Sequence, residues 1–126
     1  MNLVIVEDNE LVLYQLMRLV ARQPAIRVAG VATSEDDAVS VILAEHPAAV
    51  LLDLSLATGT GMNALKRIRA AGSAVRVLVL TNHTIETLRQ TCEALGIDGF
   101  YDKSHEVQAC LDQLYSWLPQ STEGTR

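Results

Sequence analysis

The chain has 126 residues, 49% of them hydrophobic and 20% charged, with a net charge of −5. That length suits one domain able to fold without a disulfide or metal staple, and the composition excludes disordered and low-complexity chains. The acidic balance argues against a direct grip on nucleic acid, no apolar run approaches the roughly 20 residues of a membrane span, and the opening MNLVIVEDNE lacks a signal peptide's basic start and cleavage site, so a soluble cytoplasmic protein is expected.

The first element is the apolar run LVIV at residues 3–6. A continuous run of this kind suits a strand buried on both faces, as in a parallel sheet covered by helices. A helix follows over about residues 9–22, apolar nearly all round, so its buried face is not evident. The run at 26–31 is broken by Arg27 and reads as an edge strand. Ser34 with Asp37 three residues on makes a capping box ahead of Ala38, Val41 and Ile42. VLL at 50–52 is a second buried strand; Leu65 and Ile68 then mark a helix that should stop near Gly72. VLVL at 77–80 is a third buried strand. Ile85, Leu88, Cys92 and Leu95 lie on one helical stripe that Gly96 ends, and Gly99–Lys103 is a short, polar-ended edge strand. Val107, Cys110, Leu111, Leu114 and Leu118 form the last stripe, stopped by Pro119. Cys92 and Cys110 both fall on buried stripes and read as small core residues. The order βα repeated five times predicts an open α/β fold, a doubly wound five-stranded parallel sheet with helices on both faces. No linker or second domain is evident, and residues 119–126 read as a flexible tail.

In such sheets ligands bind beyond the carboxyl ends of the strands. The first strand ends in Glu7-Asp8, the third in Asp53, the fourth in Thr81 and the fifth in Lys103. Converging carboxylates repel, and the relief on offer is the Lys103 ammonium and a hard divalent cation such as Mg²⁺. A carboxylate can also attack phosphorus. The set therefore points to metal-assisted phosphoryl transfer onto a carboxylate, with lysine and threonine holding phosphoryl oxygens.

These residues, in this order, resemble the receiver domain of two-component response regulators over residues 1–118. The marks are Glu7-Asp8 after VIV, Asp53 in VLLDLSL, Gly61 in TGTGMNAL, Thr81 in VLVLT, and Lys103 in GFYDKS. The motif EHP before the third strand resembles receivers joined to helix-turn-helix output domains. The resemblance implies a flavodoxin-like (βα)5 fold with strand order 2-1-3-4-5. It implies Asp53 as phosphoacceptor, and Mg²⁺ held by Asp8, Asp53 and the backbone carbonyl of Ser55, with Glu7 acting through water. Lys103 and Thr81 would bind phosphoryl oxygens. Thr81 and Phe100 would form the switch, the ring turning inward as the threonine moves, and the fourth helix would be the bistable element. Ser55 and His83 would flank the attacking water and tune phosphoryl lifetime; the alternative for His83 is an ordinary surface residue.

The sequence departs from the commoner family pattern at Asn82, where a small residue is usual, and at Ser104 and Ala57, where proline is frequent. Phe100 also lacks a tyrosine's hydroxyl. None of these removes a group that phosphorylation needs. His46 and His105 read as helix-end or solvated residues, and Tyr101, Tyr115 and Trp117 as packing or as a dimer or partner face.

The implied function is a signalling phosphoprotein, not an enzyme beyond slow self-dephosphorylation. Its partners would be a histidine kinase or phosphotransfer protein and a downstream protein effector. The alternatives are a receiver-like adaptor working without phosphorylation, or the receiver part of a longer DNA-binding regulator. An aspartate-nucleophile phosphohydrolase fits less well, because Ser55 stands where such enzymes carry a second acid. A flavodoxin-like electron carrier lacks its phosphate loop.

Overall fold

Apolar side chains that point alternately to both sides of a strand are buried only if the sheet is covered on both sides. The computed structural model, which describes residues 1–119, solves the problem in this way. Its elements are β1 Asn2–Val6, α1 Glu10–Val20, β2 Arg27–Ala32, α2 Glu35–Glu45, β3 Ala49–Leu52, α3 Gly61–Ala70, β4 Arg76–Thr81, α4 Glu86–Ala94, β5 Gly99–Asp102 and α5 Val107–Ser116. One parallel sheet runs β2-β1-β3-β4-β5, with the two expected edge strands at its edges. Leu3 and Ile5, Ala49 and Leu51, and Leu78 and Leu80 face α1 and α5. Val4 and Val6, Val50 and Leu52, and Val77 and Val79 form the other core layer, with Ala38 and Ile42 of α2, Leu65 and Ile68 of α3, and Cys92 of α4.

Local chemistry sets the helix ends. Asn9, Ser34 and Thr60 are N-caps, each side chain accepting the N–H of the residue three further on (Val12, Asp37 and Asn63). Gly72 and Gly96 follow α3 and α4 at φ of 90° and 77°, a left-handed conformation that glycine adopts without strain. His46 ends α2 with φ 47° and is exposed, a helix-end residue as expected.

Two expectations need correction. Ile85 is not on the buried stripe of the fourth helix; it precedes α4, offers no side-chain cap and is 62% exposed. The stripe is narrower because Cys92 is the one fully buried position of α4. The helix expected over 9–22 runs from 10 to 20, and its face is now defined. Leu16 and Val20 are buried, while Leu11, Tyr14 and Met17 point outward.

Burial pushes the Cys92 thiol up to about 11 and the Cys110 thiol up to about 12, in keeping with core residues. Tyr101, Tyr115 and Trp117 are half-buried and have separate neighbours. Tyr101 bonds Gln113, Tyr115 donates to Leu19 O at 3.3 Å, and Trp117 lies under the Arg76 guanidinium at 4.8 Å. Pro119 is exposed, and the rest of the expected tail, 120–126, lies outside the described residues. No helix among the described residues is long and apolar enough to cross a membrane.

Arg69 ties the far ends of α3 and α4 together. Its guanidinium donates to Leu95 O at 2.7 Å, Ser73 O at 3.0 Å and Gly96 O at 3.1 Å. Charge-assisted bonds to carbonyls at helix C-termini are among the stronger polar contacts. Arg69→Met is expected to lower unfolding free energy by about 2 kcal/mol in a urea titration, and a loss below about 0.5 kcal/mol would contradict that role.

Candidate functional site

The register places the functional side chains. Val6 lies opposite Leu52 across β1 and β3, so the next residues, Glu7 and Asp53, leave the sheet side by side. Thr81 lies opposite Asp102, which brings Lys103 to the same rim. Glu7, Asp53 and Thr81 are the buried polar residues of the described chain, at 2%, 4% and 0% exposure.

Lys103 Nζ sits between the two carboxylates, 2.6 Å from Glu7 Oε1 and 2.5 Å from Asp53 Oδ2. Burial alone would lower the pKa of this ammonium. The hydrogen bonds and charges of Asp53 and Glu7 outweigh burial and hold it above the usual lysine value, so Lys103 is charged. Burial pushes the Glu7 carboxyl above the usual glutamate range, more than the bonds from Lys103 and from the Asn9 N–H (3.1 Å) pull it down. The Ser55 N–H donates to Asp53 Oδ1 at 3.1 Å.

Oxygens of Glu7, Asp8 and Asp53 lie within 4.8 Å of one another. Three carboxylates meeting at the mouth of a cleft form a hard, all-oxygen donor set of the kind Mg²⁺ prefers, and one ammonium does not balance their charge. The residues present therefore fit the cation. The cleft, of about 210 Å³, is lined by these residues with Asn9, Val12, Ser55, Asn82, His83 and Lys103.

Thr81 lies beneath this rim, its hydroxyl accepting the His83 N–H at 3.2 Å. Phe100 lies inward, 8% exposed in the core layer of α2–α4, with the Arg89 guanidinium 5.7 Å from its ring centre. His83 is exposed at the cleft. His105 is also exposed, against Asp102. Asn82 and Ser104, both departures from the family pattern, bond to each other: Ser104 Oγ donates to Asn82 Oδ1 at 2.8 Å, linking the loops after β4 and β5. Sequence reasoning did not anticipate either this bond or the Asn9 contact: the Asn82–Ser104 bond joins loops 22 positions apart, and the Asn9 donor is a backbone N–H that every residue type but proline supplies. Gly61 is the closest fit among the described glycines, since a Cβ there would stand 2.0 Å from Asp53 O.

A doubly wound parallel sheet whose rim gathers three carboxylates and a lysine defines a flavodoxin-like receiver fold. The chain belongs to the response regulator receiver domain family, whose model matches residues 3–115. It is 30% identical over 118 residues to the response regulator UvrY of Escherichia coli, covering 91% of this chain and 54% of that protein. It is 26% identical to a LuxR-family two-component response regulator from an Aurantimonas species, with a TM-score of 0.77 and coverage of 91% of this chain and 85% of that one. A LuxR-family DNA-binding response regulator from Staphylococcus aureus, 18% identical, shares the fold with a TM-score of 0.83, over 91% of this chain and 96% of that one. The chain spans about half the length of the first curated relatives it matches.

Proposed function

We propose that this receiver accepts a phosphoryl group on Asp53 from the phosphohistidine of a histidine kinase or phosphotransfer protein in the cytoplasm, and passes the signal to a protein effector. The observation that carries this is Lys103 bonded to both Asp53 and Glu7 beside Asp8, a charge arrangement suited to a dianionic phosphoryl group and one cation. Asp8, Asp53 and the Ser55 carbonyl would hold Mg²⁺ directly and Glu7 through water. The cation's contribution is to neutralise charge on the phosphoryl oxygens.

The rest falls to side chains of this chain. An Asp53 carboxylate oxygen attacks phosphorus, and the phosphorus–nitrogen bond to the donor breaks. The imidazole leaves with the bonding electron pair. Lys103 turns from a carboxylate oxygen to a phosphoryl oxygen. Thr81 exchanges the bond to its own loop for one to another phosphoryl oxygen, drawing the loop and α4 with it. Phe100 packs beneath that loop. Ser55 and His83, at the cleft wall, meet the water that hydrolyses the acyl phosphate.

The test is intact mass after incubation with acetyl phosphate and Mg²⁺. One phosphoryl group is expected on the wild type, and none on Asp53→Asn or without the cation. If a beryllofluoride mimic also fails to bind, the phosphorylation-independent adaptor takes this reading's place.

The lengths of the relatives favour a second reading for the output, a receiver acting within a longer DNA-binding regulator. On that reading the net charge of −5 on this chain would leave DNA contact to another part of the longer protein. An immunoblot of source cells with an antiserum to this chain distinguishes the two, a band of about twice the size supporting the longer protein.

A further inference from the structure

The segment that leaves Asp53 is held from outside the cleft. Ser55 and Thr60 pair with each other in an antiparallel bridge, closing residues 55–60 into a small hairpin. The far side of that hairpin is gripped by the first residue of α2. Glu35 Oε1 accepts the Thr60 N–H at 3.1 Å, and the Glu35 N–H donates to Thr58 O at 2.9 Å. Glu35 Oε2 accepts from Arg67 Nη1 at 3.0 Å, and the same nitrogen donates to Asp36 at 2.6 Å. At the turn, Gly59 has φ +76°, and a Cβ there would lie 2.5 Å from Glu35 Cβ, so the Glu35 side chain closes over it. The Thr60 N–H first, and Arg67 after it, hold the Glu35 carboxyl below the ordinary glutamate range, so it is ionised near neutrality.

We propose that Glu35 is a positioning residue for the phosphoryl and cation site, acting through Thr60 on Ser55. This rests on the function proposed above. The route is short. Glu35 fixes the Thr60 backbone, Thr60 stands opposite Ser55 in a bridge held by the Gly61 N–H donating to Leu54 O at 3.0 Å, and the Ser55 N–H bonds Asp53 Oδ1. The Ser55 carbonyl, which the proposed function offers to the cation, belongs to the same bridged segment. Groups behind a metal's ligands set ligand orientation; Glu35 stands behind Ser55 with Thr60 between them, and losing it should weaken binding without removing a donor atom. The contact also ties α2 to the site by a path separate from Thr81 and Phe100.

The test is a Mg²⁺ titration followed by the amide NMR signals of residues 53–55, with acetyl phosphate labelling at low and saturating Mg²⁺. Glu35→Ala is expected to weaken Mg²⁺ binding about ten-fold. Labelling should slow at low Mg²⁺ and stay within about two-fold of wild type at saturation, because no reacting group is lost. Glu35→Asp, one methylene short of Thr60, should behave similarly if the alanine variant folds poorly. Glu35→Gln keeps an oxygen for the Thr60 N–H and should restore affinity to within about two-fold, as should Asp36→Asn, which removes one Arg67 partner and leaves the hairpin held. Wild-type affinity in both Glu35→Ala and Glu35→Asp overturns the proposal, and so does a Glu35→Gln as weak as Glu35→Ala. A wild type that neither binds Mg²⁺ nor takes up phosphate overturns the functional reading and this proposal with it.

Discussion

Lys103→Met is expected to destabilise the cation-free protein by about 3 kcal/mol near neutral pH, and Mg²⁺ is expected to restore much of the loss. The ammonium is the positive partner bonded to two carboxylates, Glu7 and Asp53, that are 2% and 4% exposed. Methionine fills similar space and leaves both carboxylates uncompensated. Breaking a buried pair by deleting one partner costs about 3–5 kcal/mol, and the lower end applies because the cleft opens to water, with 12% of the Lys103 side chain exposed. Either a divalent cation or a proton can replace the missing charge.

The same physics sets the pH dependence. Burial raises the Glu7 pKa in the fold, so between the ordinary glutamate value near 4.5 and the raised one the folded chain binds more protons than the unfolded chain. Stability of the cation-free protein therefore falls as pH rises through that window, and Lys103→Met should steepen the fall. Urea unfolding of both proteins at acid and neutral pH, with and without Mg²⁺, reads all of this. A variant as stable as wild type without Mg²⁺ would show that the lysine does not balance the carboxylates. With its competitor gone, Mg²⁺ should bind more tightly, while the phosphoryl group loses a counter-charge and labelling of Asp53 slows.

Gly61→Ala carries the second large effect. The glycine begins α3, its N–H donates to Leu54 O at 3.0 Å, and its φ lies outside the left-handed range. The constraint is one of space. An added Cβ would stand 2.0 Å from Asp53 O, 2.9 Å from Asp53 C and 2.8 Å from Leu54 Cα. All three are backbone atoms, so no side chain can rotate away, and either the start of α3 or the end of β3 must shift. Overpacking of this kind costs about 3 kcal/mol. On the proposed function a displaced Asp53 also loses its alignment with Lys103, and misplacement by about 1 Å is expected to slow labelling by up to about 100-fold. Denaturant midpoints and initial labelling rates measure the two effects. A Gly61→Ala protein with wild-type stability would contradict the close approach.

What the sequence determined by itself rests on interactions a few residues long. The runs at β1, β3 and β4 alternate between two apolar faces, and that periodicity alone requires a sheet covered on both sides. The caps at Ser34, Gly72 and Gly96 act within a single turn of helix, so they are legible wherever the sequence is read. Strand ends are equally local, which is why Glu7, Asp8, Asp53, Thr81 and Lys103 stand out in the amino-acid sequence alone; the direction of the sheet then brings them to one rim. Tertiary structure decided whatever depends on segments far apart in the chain. Which stripe of α1 is buried follows from its place beside α5 over β1 and β3, because a helix apolar nearly all round holds no preference of its own. Ile85 is exposed because α4 begins after it and buries the face that carries Cys92. The Asn82–Ser104 bond spans 22 positions and the Glu35–Thr60 bond spans 25. Such contacts leave no periodic trace in the sequence, since they arise only when sheet order sets two loops side by side. The close approach of Gly61 to Asp53 belongs with them. A glycine eight residues after an aspartate marks the motif, but only the packing of α3 against the end of β3 shows that no larger residue fits.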